Sequence, residues 1–145
     1  GVSAISGTST IYTGPPFTPR VSGASYSGGE ATRPDRIGKG TVPNPTPDLW
    51  YDRTAFPLVP TGSYRFGNSG RNILDGPGAI VINTSLSRRI RFADSRSLQL
   101  RIESFNLPNH PNFNLPENNV NVRAGGTISR AKNNRNLQAG LRLEF

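Results

Sequence analysis

Apolar and polar residues alternate along three stretches of the second half of the chain. From Ile80 to Phe92 the even positions are Ile80, Ile82, Thr84, Leu86, Arg88, Ile90 and Phe92, and the odd positions from Asn83 to Arg91 are polar. From Leu98, the even positions Leu98, Leu100 and Ile102 alternate with Gln99, Arg101 and Glu103. From Leu137, the odd positions Leu137, Ala139, Leu141, Leu143 and Phe145 alternate with Gln138, Gly140, Arg142 and Glu144. A period of two with one apolar face predicts strands whose faces meet different surroundings, near 80–92, 97–105 and 137–145. Val2–Tyr12, rich in Ser, Thr and Ile, is a fourth candidate with weaker alternation, and Thr127–Ala131 is a short fifth. No stretch of a dozen residues repeats apolar positions at three- and four-residue spacing, so helix is expected to be nearly absent.

The link 93–97 between the first two predicted strands suits a hairpin. Pairing Phe92 with Leu98 joins even positions to even positions and places both apolar sets on one face; a one-residue slip would separate them. Prolines mark Gly14–Arg20, Pro43–Asp48, Pro57–Pro60 and Asn106–Asn119 as loops or turns, because proline donates nothing to a ladder. The expected fold is all-β, mainly antiparallel, with hairpins and long Gly/Pro-rich loops.

Composition adds a boundary. Of the 16 glycines and 13 prolines, 13 and 10 lie in residues 1–79. The chain then reads as a single β-rich unit, with loops and an N-terminal edge strand in 1–79 and amphipathic strands in 80–145. Leu, Ile, Val and Phe are sparse for 145 residues, so the core is thin and partner surfaces are expected to complete it. No initiator Met or leader precedes Gly1, which predicts a processed or excised product.

Candidate chemistry is scarce. There is no Cys or Met and one His, so thiolate chemistry, disulfides and histidine-rich metal sites are excluded, and neither metal nor cofactor is expected. His110 sits in a Pro/Asn loop without a second ligand or a nucleophile, as a turn residue would. Asp35, Asp48, Asp52 and Asp75 are scattered through loops, where Asp bonds nearby backbone amides. Gly67, Gly70, Gly76 and Gly78 precede no Gly-Lys-Ser/Thr and no helix; they are expected to supply positive φ in turns. No catalytic activity is expected. The formal net charge is +8, with Arg88, Arg89, Arg91 and Arg96 close together. Alternation divides them between two faces and no aromatics interleave on the polar one, which disfavours nucleic acid. Arg88, on the apolar face near the turn, is long enough to reach a membrane interface. Asn83-Thr84-Ser85 fits a glycosylation pattern but lies within a predicted strand; O-linked glycan on the Ser/Thr/Pro-rich loops of 8–63 is the more plausible modification.

Several loops carry a family likeness. Thr13-Gly14-Pro15-Pro16-Phe17-Thr18-Pro19, Arg33-Pro34-Asp35-Arg36-Ile37-Gly38, Phe66-Gly67-Asn68-Ser69-Gly70-Arg71-Asn72 with Leu74-Asp75-Gly76-Pro77-Gly78, and Phe105-Asn106-Leu107-Pro108-Asn109-His110-Pro111-Asn112-Phe113 resemble, in this order, the last part of Oar-like TonB-dependent outer-membrane receptors. The ending Leu141-Arg142-Leu143-Glu144-Phe145 resembles the terminal signal read by the barrel assembly machinery. The resemblance implies the end of a large bacterial barrel, and the strands predicted here cannot close a circumference of about 22 strands.

Two functions from different classes follow. In one, a processed fragment polymerises with copies of itself into an extracellular or cell-surface fibre. Its assembly edges are Val2, Ile5 and Ile11 on one side and Leu137, Leu141, Leu143 and Phe145 on the other, and the face of Ile80, Ile82, Leu86, Ile90, Leu98, Leu100 and Ile102 is buried between sheets or subunits. In the other, these are the last strands of an intact outer-membrane transporter, and the same face touches lipid.

Overall fold

The computed structural model describes residues 2–23, 32–132 and 134–145. Among them ten strands follow in order: β1 (Val2–Tyr12), β2 (Pro16–Phe17), β3 (Thr41–Thr46), β4 (Leu49–Tyr51), β5 (Leu74–Asp75), β6 (Ala79–Ala93), β7 (Arg96–Phe105), β8 (Asn112–Phe113), β9 (Ala131–Lys132) and β10 (Asn136–Glu144). The only helical element among these residues is a single 3-10 turn, Arg53–Ala55. All four long strands lie where alternation predicts them. Thr127–Ala131 is not a strand; only Ala131–Lys132 pairs. Pro43 and Pro45 lie inside β3, which the sequence reads as loop. The ladder tolerates them because β3 pairs with β4 only at Thr41–Tyr51 and Thr46–Leu49, with a register shift between.

The chain divides into two compact units that cut across the compositional boundary. The first comprises residues 1–12, 79–112 and 132–145, the second 13–78 and 113–131. The first is a four-stranded antiparallel sheet in the order β1-β6-β7-β10. β1 pairs with β6 from Val2–Arg89 to Tyr12–Ala79, and β10 pairs with β7 from Asn136–Phe105 to Glu144–Ser97. Hence β1 begins and β10 ends at the end of the sheet that carries the β6–β7 turn, and both long connections leave from the other end.

The hairpin is tighter than the sequence suggests. Leu98 faces Ile90, not Phe92; Arg91 faces Ser97, and after an irregularity Ala93 faces Arg96. The turn shrinks to Asp94-Ser95. A slip of two keeps the parity that the apolar pattern demands while adding ladder bonds, so the shorter turn wins.

β6 outlasts β7, which first pairs at Thr84–Ser104. The free edge of Ile80–Asn83 is covered by the loop that follows β7. Leu107 N–H donates to Ile82 O at 2.9 Å, and Asn106 N–H donates to Asn83 Oδ1 at 3.1 Å. The buried Asn112 then uses both ends of its side-chain amide: Oδ1 accepts Ile80 N–H at 2.9 Å and Nδ2 donates to Ile80 O at 3.0 Å. This imitates a neighbouring strand without a strand being there.

The second unit holds the buried apolar cluster of Phe17, Val21, Tyr51, Ala55, Phe56, Leu74 and Val120. Tyr51 stands between Phe17 (ring centroids 5.6 Å apart) and Phe56 (6.1 Å), and its hydroxyl donates to Glu117 O at 2.9 Å. A thin core of this kind suffices because side-chain and backbone hydrogen bonds sew the loops together.

Candidate functional site

Three of the four stretches that carry the family likeness, 13–19, 33–38 and 66–78, lie in the second unit, and 105–112 belongs to the first. Arg65 grips Asp35 with two parallel bonds, Nη1 to Oδ1 at 2.7 Å and Nη2 to Oδ2 at 2.6 Å. Asn68 N–H donates to Asp35 Oδ1, Asn68 Oδ1 accepts Arg36 N–H, and Ser69 N–H donates to Pro34 O. The Arg65 guanidinium holds the Asp35 carboxyl below its ordinary range, helped by the Asn68 amide. Asn72 N–H donates to Thr18 Oγ1, and Gly76 N–H to Pro15 O. Asp52 caps the 3-10 turn by accepting from Thr54, the turn chemistry expected of it.

The glycines of these motifs act differently from expectation. Gly67, Gly70, Gly76 and Gly78 are not among the positive-φ residues, which among the described residues are Gly23, Gly40, Gly62 and Gly126 with Tyr64, Asn72, Asn106 and Asn109. Gly67 is required for close approach: a Cβ there would lie 2.0 Å from Arg33 O and 2.3 Å from Pro34 O. Gly76 likewise leaves room for Leu115. Burial raises the Tyr51 hydroxyl to about 12, with the Glu117 carboxylate adding to it. None of these groups forms a cavity with converging reactive side chains; they are stitches.

The four-stranded sheet holds the chemistry of a surface. Its register aligns Ile5 and Ile11 with Leu86 and Ile80, Ile90 with Leu98, Leu86 with Ile102, Leu100 with Leu141, and Leu98 with Leu143. One face is therefore apolar across all four strands. In this chain that face is open rather than buried: Leu86, Ile90, Leu100 and Ile102 are exposed, and Ile80, Ile82 and Leu98 are only half-buried. On the outer strands Ile5 is 82% exposed and Leu141 70%, and Phe145, beyond the ladder, is 92% exposed. Val2, grouped with Ile5 and Ile11 in sequence, faces Arg89 in the register and so has the opposite parity.

Ion pairs occupy the other face. Glu144 lies 3.6 Å from Arg89 and 3.4 Å from Arg142 and accepts from Ser97 Oγ at 3.1 Å; Arg101 pairs with Glu103 at 2.6 Å. Asn83, the potential glycosylation residue, is on this face and is engaged by Asn106. His110 is exposed, and its Nδ1 lies 3.2 Å from Asn112 Oδ1, where it supports the edge cap. Sequence reasoning missed Asn112 and Asn106 as buried groups, because an Asn in a Pro/Asn loop carries no mark of burial.

A sheet apolar on one face and ionic on the other is the pattern of a membrane barrel, whose strands alternate between lipid and lumen. The family model described as an outer membrane beta barrel domain matches residues 4–138. The chain belongs to this family. No curated protein and no solved structure matches it. An outer membrane beta barrel domain needs no apolar helix, and none of the described residues forms one long enough to cross a membrane. Along β6 the apolar positions Ile80 to Ile90 cover about 33 Å of strand, which a tilt of about 40° reduces to about 25 Å of membrane thickness.

Proposed function

We propose that this chain supplies four membrane-spanning strands and surface loops to an outer-membrane barrel of the Oar-like TonB-dependent receptor type, without catalysis of its own. The observation that carries the reading is the register, which aligns apolar residues of all four strands on one face and the ion pairs of the sheet's described residues on the other. Short turns of such barrels face the periplasm and long loops the exterior. The Asp94-Ser95 turn and the end of β10 then lie on the periplasmic side, and both long connections lead outward. The ordered loop motifs support the finer receptor assignment. The carboxylates Asp35, Asp52, Glu103 and Glu144 are engaged in structural bonds, in keeping with a non-enzymatic role.

The absence of native Cys makes the test direct. Single cysteines at Leu86, Leu100 and Ile102 should react with a bilayer-soluble maleimide and not with an impermeant charged one; cysteines at Ser85 and Gln99 should not react with the bilayer-soluble reagent. Equal labelling of both faces from lipid would refute the reading.

One observation favours a second reading. β1 and β10 are the outer strands of the sheet, and they run antiparallel to each other with matching apolar parity. The β10 edge of one copy can therefore accept β1 of another without breaking alternation, as a fibre-forming extracellular protein requires. Intact mass and negative-stain microscopy of native material without detergent separate the two. A 15.7 kDa chain in regular fibres supports assembly, and a much larger polypeptide soluble only in detergent supports the receptor.

A further inference from the structure

The arginines of the sheet differ in what they meet. Arg89, Arg101 and Arg142, on the polar face, each have a glutamate. Arg88 and Arg96 have the parity of the apolar face, are exposed, and their side chains have no hydrogen-bond or ion-pair partner among the described residues. Arg88 faces Leu100 and Ser3, while Arg96 faces Ala93 next to the turn. The two therefore flank the Ile90–Leu98 pair near one end of the sheet, with the exposed Phe92 at the register shift beside the turn.

A guanidinium left without a carboxylate on a lipid-facing surface has two ways to avoid hydrocarbon. It can extend along its alkyl stem to the interface, and it can bind an anion there. Arg96 lies at the turn end, where the apolar band meets headgroups, Phe92 adds an aromatic at that level, and Arg88 lies just inside the band with a stem long enough to reach it. Guanidinium forms two parallel bonds to phosphate oxygens, a geometry suited to a phosphodiester held in a membrane plane.

We infer that Arg88 and Arg96 form a docking site for the phosphate of an anionic phospholipid headgroup in the leaflet at the β6–β7 turn. The inference rests on the barrel reading above. Arg88 reaches toward the interface from the far side of the Ile90–Leu98 pair, and Arg96 binds at the interface itself. The site charges no polar-face residue, so it is independent of the Glu144 network.

The test uses the full protein reconstituted in nanodiscs that contain equal phosphatidylglycerol and phosphatidylcholine, followed by gentle extraction and native mass spectrometry of retained lipid. Wild type should retain phosphatidylglycerol preferentially. Arg88→Gln and Arg96→Gln should each lower the preference about fivefold and together abolish it. Arg91→Gln, a third unpartnered arginine near the turn but of the other parity, should leave it unchanged. Loss of preference in Arg91→Gln equal to that in the double variant, or no loss in the double variant, overturns the site. A photoactivatable acyl chain in the same nanodiscs reports on the barrel reading separately. Labelling of the Leu86–Ile102 region with no effect of the Arg variants rejects the headgroup site alone, and absence of that labelling rejects both.

Discussion

At the scale of single residues, the side chains with the largest structural roles are those that sequence describes least. Asn112 looks like one of many loop asparagines, yet it saturates the backbone of Ile80 on both sides. Asn112→Ala leaves a donor and an acceptor unpaired at a buried edge, at a cost of about 2–4 kcal/mol for the two. Hydrogen exchange at the Ile80 amide should accelerate in that variant, and unchanged protection would contradict the cap. Tyr51 is hidden in the same way, since nothing in Leu-Trp-Tyr-Asp distinguishes a buried hydroxyl. Its pKa is raised by burial to about 12, against about 10 in an unfolded chain. Its contribution is therefore complete below pH 10 and is lost between pH 10 and 12, as the unfolded chain ionises first, by about 2–3 kcal/mol. An ultraviolet titration should show one phenol step near pH 12 that Tyr51→Phe removes. Three glycines of the loop motifs are needed for space and not for positive φ: Gly67 beside backbone carbonyls, Gly70 beside the Ile73 side chain and Gly76 beside Leu115.

Elements were the most legible level. Parity determines which face the residues of β6, β7 and β10 occupy up to the register shift between Arg91 and Ala93, and the structure departs from the predicted hairpin by that irregularity and by a two-residue slip that parity permits. What parity cannot express is length. The turn contracted because extra ladder bonds outweigh a longer loop, and β6 runs on past the end of β7, where a loop covers its edge instead. In a bilayer, Leu86→Arg puts a charge on the lipid face midway along β6 and should cost about 2–4 kcal/mol, while Ser85→Arg, next in sequence and opposite Glu103, should cost little. Urea titrations of the bilayer-folded protein would show it; similar losses for both would mean that neither face meets lipid. The stitch between Pro34–Arg36 and Phe66–Ser69 has its own signature. The Asp35 pKa is depressed, so the stitch is intact above the ordinary carboxylate range and loosens as acid titrates the folded carboxyl. Limited proteolysis at Leu58–Arg65 by an acid protease should accelerate below that range, and Asp35→Asn should show the faster cleavage at every pH.

The whole molecule was legible in kind but not in division. Composition placed one boundary at Ala79, where β6 begins, but β1 belongs with the strands behind that boundary and residues 113–131 belong with the loops ahead of it. A linear profile of Gly and Pro cannot show that a chain goes out and returns twice. Tyr12 and Ala79 are direct cross-strand partners, so an Asn-Gly turn can replace residues 13–78 without moving the sheet. That deletion should keep the β-sheet circular dichroism and bilayer insertion of the parent while losing the phenol step near pH 12. Failure to insert would show that the loops are needed to build the strands. The two ends of the sheet, the start of β1 and the finish of β10, share the side of the β6–β7 turn. A gene segment encoding such a block can be duplicated or grafted between two periplasmic turns of another barrel, and every strand downstream keeps its direction and its sidedness. Recombination can then enlarge or shrink a barrel four strands at a time, with no inversion of what faces the cell exterior.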